Sequence, residues 1–156
     1  MAADAELYEQ DFVAWTRQQA ARIKAIADAH GNLPIDWVNV AGEIEDLGKS
    51  DRRELGSRLE TIIEHLLKLQ YSPAQDPRSG WAADTVLRER NQVEGLLEQS
   101  PSLRSEVDKL SPRAQRRATK LVRRALGRHG EVVAGEAVPF GLRDLTFDEV
   151  LGDWLP

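Results

Sequence analysis

Along most of the chain, apolar residues recur at intervals of three and four, the spacing that puts them on one side of a helix. Tyr8, Phe12, Trp15, Ile23 and Ile26 form one such stripe and predict a first helix over 4–29, ended by Gly31 with His30 in its last turn. Asn32-Leu33-Pro34-Ile35 then reads as a linker. Trp37, Val40, Ala41, Ile44 and Leu47 mark a second helix, with Asp36 as its cap. Gly48 reads as its stop, because glycine enters the left-handed conformation of a helix end without steric penalty. After a turn at Gly48-Lys49 and a cap at Ser50, a third helix runs to about Tyr71 and carries Leu55, Leu59, Ile62, Ile63, Leu66, Leu67 and Leu69. The two together read as a helical hairpin over about 36–71. Its second arm is the most apolar stretch of the chain, which predicts a central position.

Pro73 and Pro77 frame a loop, and Ser79 reads as the cap of a fourth helix from Trp81 to Gln99. Val86, Val93 and Leu97 share one face of it, broadened by Trp81, Leu87 and Leu96. Ser100-Pro101 and Ser111-Pro112 each pair a capping hydroxyl with proline at the first helical position, where its missing N–H costs nothing. They predict a short fifth helix, with Leu103, Val107 and Leu110 inward, and a sixth over 112–128 stopped by Gly127 and Gly130. Residues 131–142 hold Gly135, Pro139 and Gly141 with no sustained period. Thr146-Phe147-Asp148-Glu149 spells a capping box and starts a last helix bearing Phe147, Val150, Leu151 and Trp154. No stretch alternates with a period of two. The expectation is an all-α fold, a helical bundle of five to seven helices with the hairpin at its centre. One domain, 1–156, is expected: a bundle over 1–130 and a tail over 131–156 that packs on the bundle or on a partner chain.

Several motifs carry a resemblance to a known family. They are Tyr8-Glu9-Gln10-Asp11-Phe12 with Trp15, Asp36-Trp37-Val38-Asn39-Val40-Ala41, and Glu43-Ile44-Glu45-Asp46-Leu47-Gly48. Ser57-Arg58-Leu59, His65-Leu66-Leu67-Lys68 with Gln70-Tyr71, and Ser100-Pro101-Ser102-Leu103 continue the set. Jointly they resemble an uncharacterised, mostly bacterial family, domain of unknown function twenty-nine, over about residues 6–126. Gly42 stands where that pattern has glutamate. The resemblance implies an all-helical fold. It implies no activity, cofactor or catalytic residue.

Composition narrows the function classes. Apolar residues are 41% and charged residues 30%, within the range of globular proteins. The net charge of −5 gives no global pull toward nucleic acid or anionic membrane. There is no cysteine, which excludes disulfides, zinc-thiolate sites, iron–sulfur clusters and cysteine nucleophiles. No basic region followed by an apolar run opens the chain, and no apolar run approaches the ~20 residues that cross a bilayer. A soluble, cytoplasmic protein with no membrane contact is expected.

Two constellations carry candidate chemistry. Residues 36–46 hold Asp36, Glu43, Glu45 and Asp46 and no basic residue, a local charge of −4. Arg58 and His65 border the apolar face of the third helix, so a hairpin would let Glu43 or Asp46 meet Arg58 or His65. Those four are candidates for a metal site or for acid–base catalysis, since carboxylate and imidazole ligate divalent metals. Glu64 and His65 are adjacent, however, so they do not form the Glu-x-x-His of di-iron bundles. A semi-buried ion pair that sets helix register is the simpler reading.

Residues 113–128 carry six arginines and one lysine and no acid, a local charge of +7. Arg113, Arg117, Lys120, Arg124 and Arg128 fall on one side, opposite Ala114, Ala118, Leu121, Ala125 and Leu126. That polarised helix is a candidate surface for an acidic protein or for phosphate. It holds no aromatic for base stacking, so nucleic-acid binding would be weakly sequence-specific. Trp15, Trp37, Trp81 and Trp154, at helical spacing beside aliphatics, read as core. There is no G-x-S-x-G, phosphate loop, dinucleotide fingerprint or H-E-x-x-H, and His129, like His30, reads as a helix-end residue. The leading expectation is therefore a non-enzymatic helical interaction protein with a basic face and no cofactor. The metal or acid–base enzyme and the nucleic-acid binder stand as alternatives, and self-association through the apolar tail stays open.

Overall fold

The structure, a computed structural model, describes the backbone of residues 2–29, 33–72, 78–128 and 144–156, and their side chains apart from those of 2–4, 78, 79 and 128. The expectations for His30, Gly31, Asn32, Pro73, Pro77, His129, Gly130 and 131–142, and for the side chains of Ser79 and Arg128, lie outside the described residues. In chain order the helices are α1 (Ala2–Gln10), α2 (Phe12–Ala29), α3 (Trp37–Tyr71) and α4 (Arg78–Gln99). A 3-10 turn (Pro101–Leu103), α5 (Arg104–Arg128) and α6 (Phe147–Leu151) follow. The described residues contain no strand, so the fold is all-α as the periodicity predicts.

The expected hairpin is absent. Residues 37–71 form one uninterrupted helix of 35 residues, and Gly48 and Ser50 lie inside it. The physical reason is at Gly48. A Cβ there would run into the Thr16 hydroxyl of α2, so the glycine permits close approach of two helices. An internal glycine costs only about 1 kcal/mol relative to alanine. Burial of each large aliphatic along the same helix returns about 2 kcal/mol, which decides for continuity.

A second boundary fails in the same way. Ser111-Pro112 does not start a helix, because α5 is continuous over 25 residues with Pro112 inside. Proline supplies no N–H to the carbonyl of Asp108. The Ser111 hydroxyl turns back to the carbonyl of Val107 at 2.7 Å. The lost hydrogen bond is outweighed by the buried strip Val107, Ala114, Ala118, Val122 and Leu126.

The chain divides into two compact units, 1–55 with 95–106 and 56–94 with 107–156. In the first, Val13, Ala20, Ala41, Leu55, Leu97 and Leu103 are buried. The expected first helix is split at Asp11, although amide bonds from Asp11 to Leu7 and from Trp15 to Asp11 carry the helical course across it. Asp11 caps α2 by accepting from the Ala14 amide at 2.8 Å. The same carboxylate accepts from the amide and the hydroxyl of Ser102, at 2.6 and 2.9 Å. In return Ser100 accepts from the Val13 amide at 3.2 Å. Two separate family motifs thus meet in one mutual capping node. Arg52 and Glu106 pair at 2.6 Å in the same unit. Asp36 caps α3 as expected, accepting from the Asn39 amide.

In the second unit, Leu59, Ile62, Ile63, Leu66 and Leu67 of α3 are almost fully buried, with Val86 and Val93 of α4 and Val150 of α6. Trp81, expected in the core, is 69% exposed. Val86, Val93 and Leu97 define the buried side of α4, and Trp81 falls off it. The capping box at Thr146 forms as the sequence predicts: Thr146 Oγ1 accepts from the Glu149 amide, and Glu149 accepts from the Thr146 amide.

Candidate basic groove

The second unit carries the polarised helix. In α5 the strip Ala114, Ala118, Val122 and Leu126 is buried, which leaves the arginine-rich arc toward solvent. Arg113, Arg116, Arg117, Lys120 and Arg124 are exposed, and Arg123 is half-buried. Leu121, expected on the apolar side, is 43% exposed, and Val122 takes the buried place. Arg117 meets Glu60 at 3.4 Å, a surface pair of small weight. Among the described residues, no ion pair involves Arg113, Arg116, Lys120 or Arg124.

Beside this arc lies an open groove of about 780 Å³. Arg116, Thr119, Lys120 and Arg123 line it from α5, with Asp108, Ser111, Pro112 and Gln115 nearer the start of that helix. Ile63 of α3 also lines it. The tail contributes Asp144, Leu145, Phe147 and Val150 to the lining. Phe147, one of these lining residues, is 52% exposed.

Three devices hold the tail wall in place. Gln115, buried on α5, accepts from the Leu145 amide at 3.3 Å. The capping box fixes the start of α6. Arg90 of α4, 9% exposed, collects the far end. Its Nε donates to the Val150 carbonyl at 2.9 Å, and its Nη2 donates to the carbonyls of Glu149 and Trp154 at 2.7 and 2.8 Å. A helix end leaves such carbonyls without intrahelical donors. Burial pushes the Arg90 guanidinium below the usual arginine range, and nearby Asp153 opposes that shift. Its Nη1 has no hydrogen-bond partner among the described residues.

The acidic constellation is not assembled. On one continuous helix a rise of ~1.5 Å per residue puts Asp46 roughly 18 Å from Arg58 and Glu43 roughly 33 Å from His65. Glu43 is exposed. Asp46 pairs with Lys49 at 3.0 Å, a hydrogen bond that lowers its pKa and raises that of Lys49. Glu45 is lowered first by its hydrogen bond to Lys24 of α2. Arg58 pairs with Glu89 of α4 at 2.8 Å, both largely shielded. His65 Nδ1 lies 2.9 Å from the Thr61 carbonyl of its own helix. Among the described residues no group of three or more His, Asp or Glu side chains is placed to hold a metal ion.

The groove-building residues were overlooked by sequence reading, although two left a trace. Arg90 stands four residues after Val86 and three before Val93, inside the apolar stripe of α4. A charge in that register calls for a buried partner. Gln115 likewise sits between Ala114 and Ala118 on the buried side of α5.

The chain belongs to the family described as Domain of unknown function DUF29, whose profile matches residues 7–149. It is similar to an alpha-helical protein of unknown function from Rhodospirillum rubrum, solved as a crystal structure at 1.45 Å resolution. The two are 26% identical with a TM-score of 0.72, over 94% of this chain and 89% of that one. No curated protein matches. Among the described residues no helix is long and apolar enough to cross a membrane.

Proposed function

We propose that this DUF29-family protein is a helical interaction protein that binds an acidic partner protein through the exposed arc of α5. One observation carries the reading: Arg113, Arg116, Lys120 and Arg124 crowd one face, exposed and without ion pairs among the described residues. Like charges held within a few residues of one another repel, and a folded chain of net charge −5 has acids enough to neutralise them locally. An acidic partner supplies that neutralisation in trans. The metal or acid–base alternative lacks support, because Glu43, Asp46, Arg58 and His65 occupy separate places along α3.

Polyglutamate titration by fluorescence anisotropy tests the proposal. Wild-type protein binds, binding weakens as salt rises, and the triple variant Arg113→Glu, Lys120→Glu, Arg124→Glu binds at least about tenfold less tightly. Equal binding by the variant defeats the proposal. Stronger binding to duplex DNA than to polyglutamate replaces the protein partner with a nucleic acid.

A further inference from the structure

We infer that the groove beside α5 receives a short acidic peptide segment bearing one large apolar side chain, an inference that rests on the acidic-partner reading above. The lining has two chemistries side by side. Arg116 and Lys120, both exposed, stand on the α5 wall. Phe147, 52% exposed, and half-buried Leu145 line it from the tail, and buried Ile63 and Val150 complete the apolar lining. The volume of about 780 Å³ falls within the ~300–1,000 Å³ of sites that enclose small ligands, enough for a few residues of peptide.

A uniformly charged ligand would use only one wall. Carboxylates of the peptide meet Arg116 and Lys120, the guanidinium offering two parallel donors. A leucine, phenylalanine or tryptophan of the same segment covers the Phe147 ring and removes its apolar surface from water.

The acceptors in the groove favour a peptide over a nucleic acid. Asp108 and Asp144 both line it. Asp108 is also the residue whose carbonyl loses its helical donor to Pro112, which has no N–H. Peptide amides donate to such acceptors. A phosphodiester backbone brings acceptors only and has no such donor to offer.

The test uses two pools of labelled short peptides, both rich in Asp and Glu. One pool carries a single Leu, Phe or Trp at varied positions, and the other carries Ser there. The apolar pool should bind about tenfold more tightly than the Ser pool, the advantage of one partly buried side chain. Phe147→Ser should erase that advantage and leave the Ser pool unchanged, while Phe147→Leu keeps it. Lys120→Glu should weaken both pools. Equal binding of the two pools, a Phe147→Ser effect common to both, or stronger competition by a single-stranded oligonucleotide overturns the groove assignment and leaves the basic-face reading standing. Failure of both pools to bind, or indifference of both to Lys120→Glu, removes the basic-face reading and the groove with it. Far-UV circular dichroism confirms that each variant keeps its helix content.

Discussion

Replacing Gly48 by alanine distinguishes a glycine that ends a helix from a glycine that lets two helices touch. Thr16, opposite it on α2, is fully buried and donates its hydroxyl hydrogen to the Val13 carbonyl at 2.9 Å. An added Cβ meets that hydroxyl oxygen first, while the Thr16 Cβ lies at an ordinary 3.5 Å. Rotating Thr16 away gives up a hydrogen bond of about 1 kcal/mol. Keeping it in place overpacks the contact, at about 1–3 kcal/mol. Alanine in a helix interior returns about 1 kcal/mol over glycine. Gly48→Ala should therefore destabilise the protein by up to about 2 kcal/mol.

With Thr16→Ala in the background the obstructing oxygen is gone, only the propensity remains, and Gly48→Ala should stabilise by up to about 1 kcal/mol. Urea unfolding of the wild type, both single variants and the double variant, followed by circular dichroism, gives the coupling. The sign should reverse between backgrounds, with an interaction energy of about 2 kcal/mol. Equal destabilisation in both backgrounds would mean that residue 48 needs a backbone conformation only glycine adopts. That result would refute the close-approach explanation.

Asp11→Ala removes the cap of α2 and both bonds from Ser102, and should lower stability by about 2–3 kcal/mol in the same urea assay. Arg90→Met keeps the unbranched apolar stem of the side chain but leaves the carbonyls of Glu149, Val150 and Trp154 without their donor. It should destabilise by about 1–2 kcal/mol and open 144–156 to limited proteolysis, although relief of the guanidinium's desolvation offsets part of the loss. Asp51 is held above its ordinary value of 3.8, first by burial and second by Glu54. Its folded form binds protons more tightly than its unfolded form, so its ionisation costs stability as pH rises through and above the usual carboxylate range. Asp51→Asn should thus raise the midpoint of urea unfolding at neutral pH and leave it unchanged at strongly acid pH.

Apolar periodicity was sufficient to read the all-helical class and most of the core. Leu55, Leu59, Ile62, Ile63, Leu66 and Leu67 are buried where the stripe places them. Asp36 and the Thr146 box cap helices as their spacing requires, because both bonds close within one turn. Boundaries read from Gly48 and Ser111-Pro112 were wrong because glycine and proline each have two uses. Missing bulk serves a close contact as well as a turn, and a proline ring is tolerated mid-helix when buried neighbours outweigh one lost bond.

The groove was only half legible. The positive arc of α5 is local sequence, so its spacing predicts it. The tail wall depends on Arg90 and its acceptors around sixty residues away, and on Gln115 reaching Leu145 thirty residues on. Register within one helix carries no information about such partners. The same holds for Asp11 and Ser102, ninety-one residues apart, whose motifs resemble a family pattern before their shared hydrogen bonds explain why both are needed.

Amide hydrogen exchange with and without saturating polyglutamate locates the contact on the intact chain. If α5 offers the binding face, exchange should slow across 113–128, with the remaining described segments unchanged. Slowing confined to 8–15 or 36–46, or no slowing anywhere while polyglutamate is bound, would contradict that assignment.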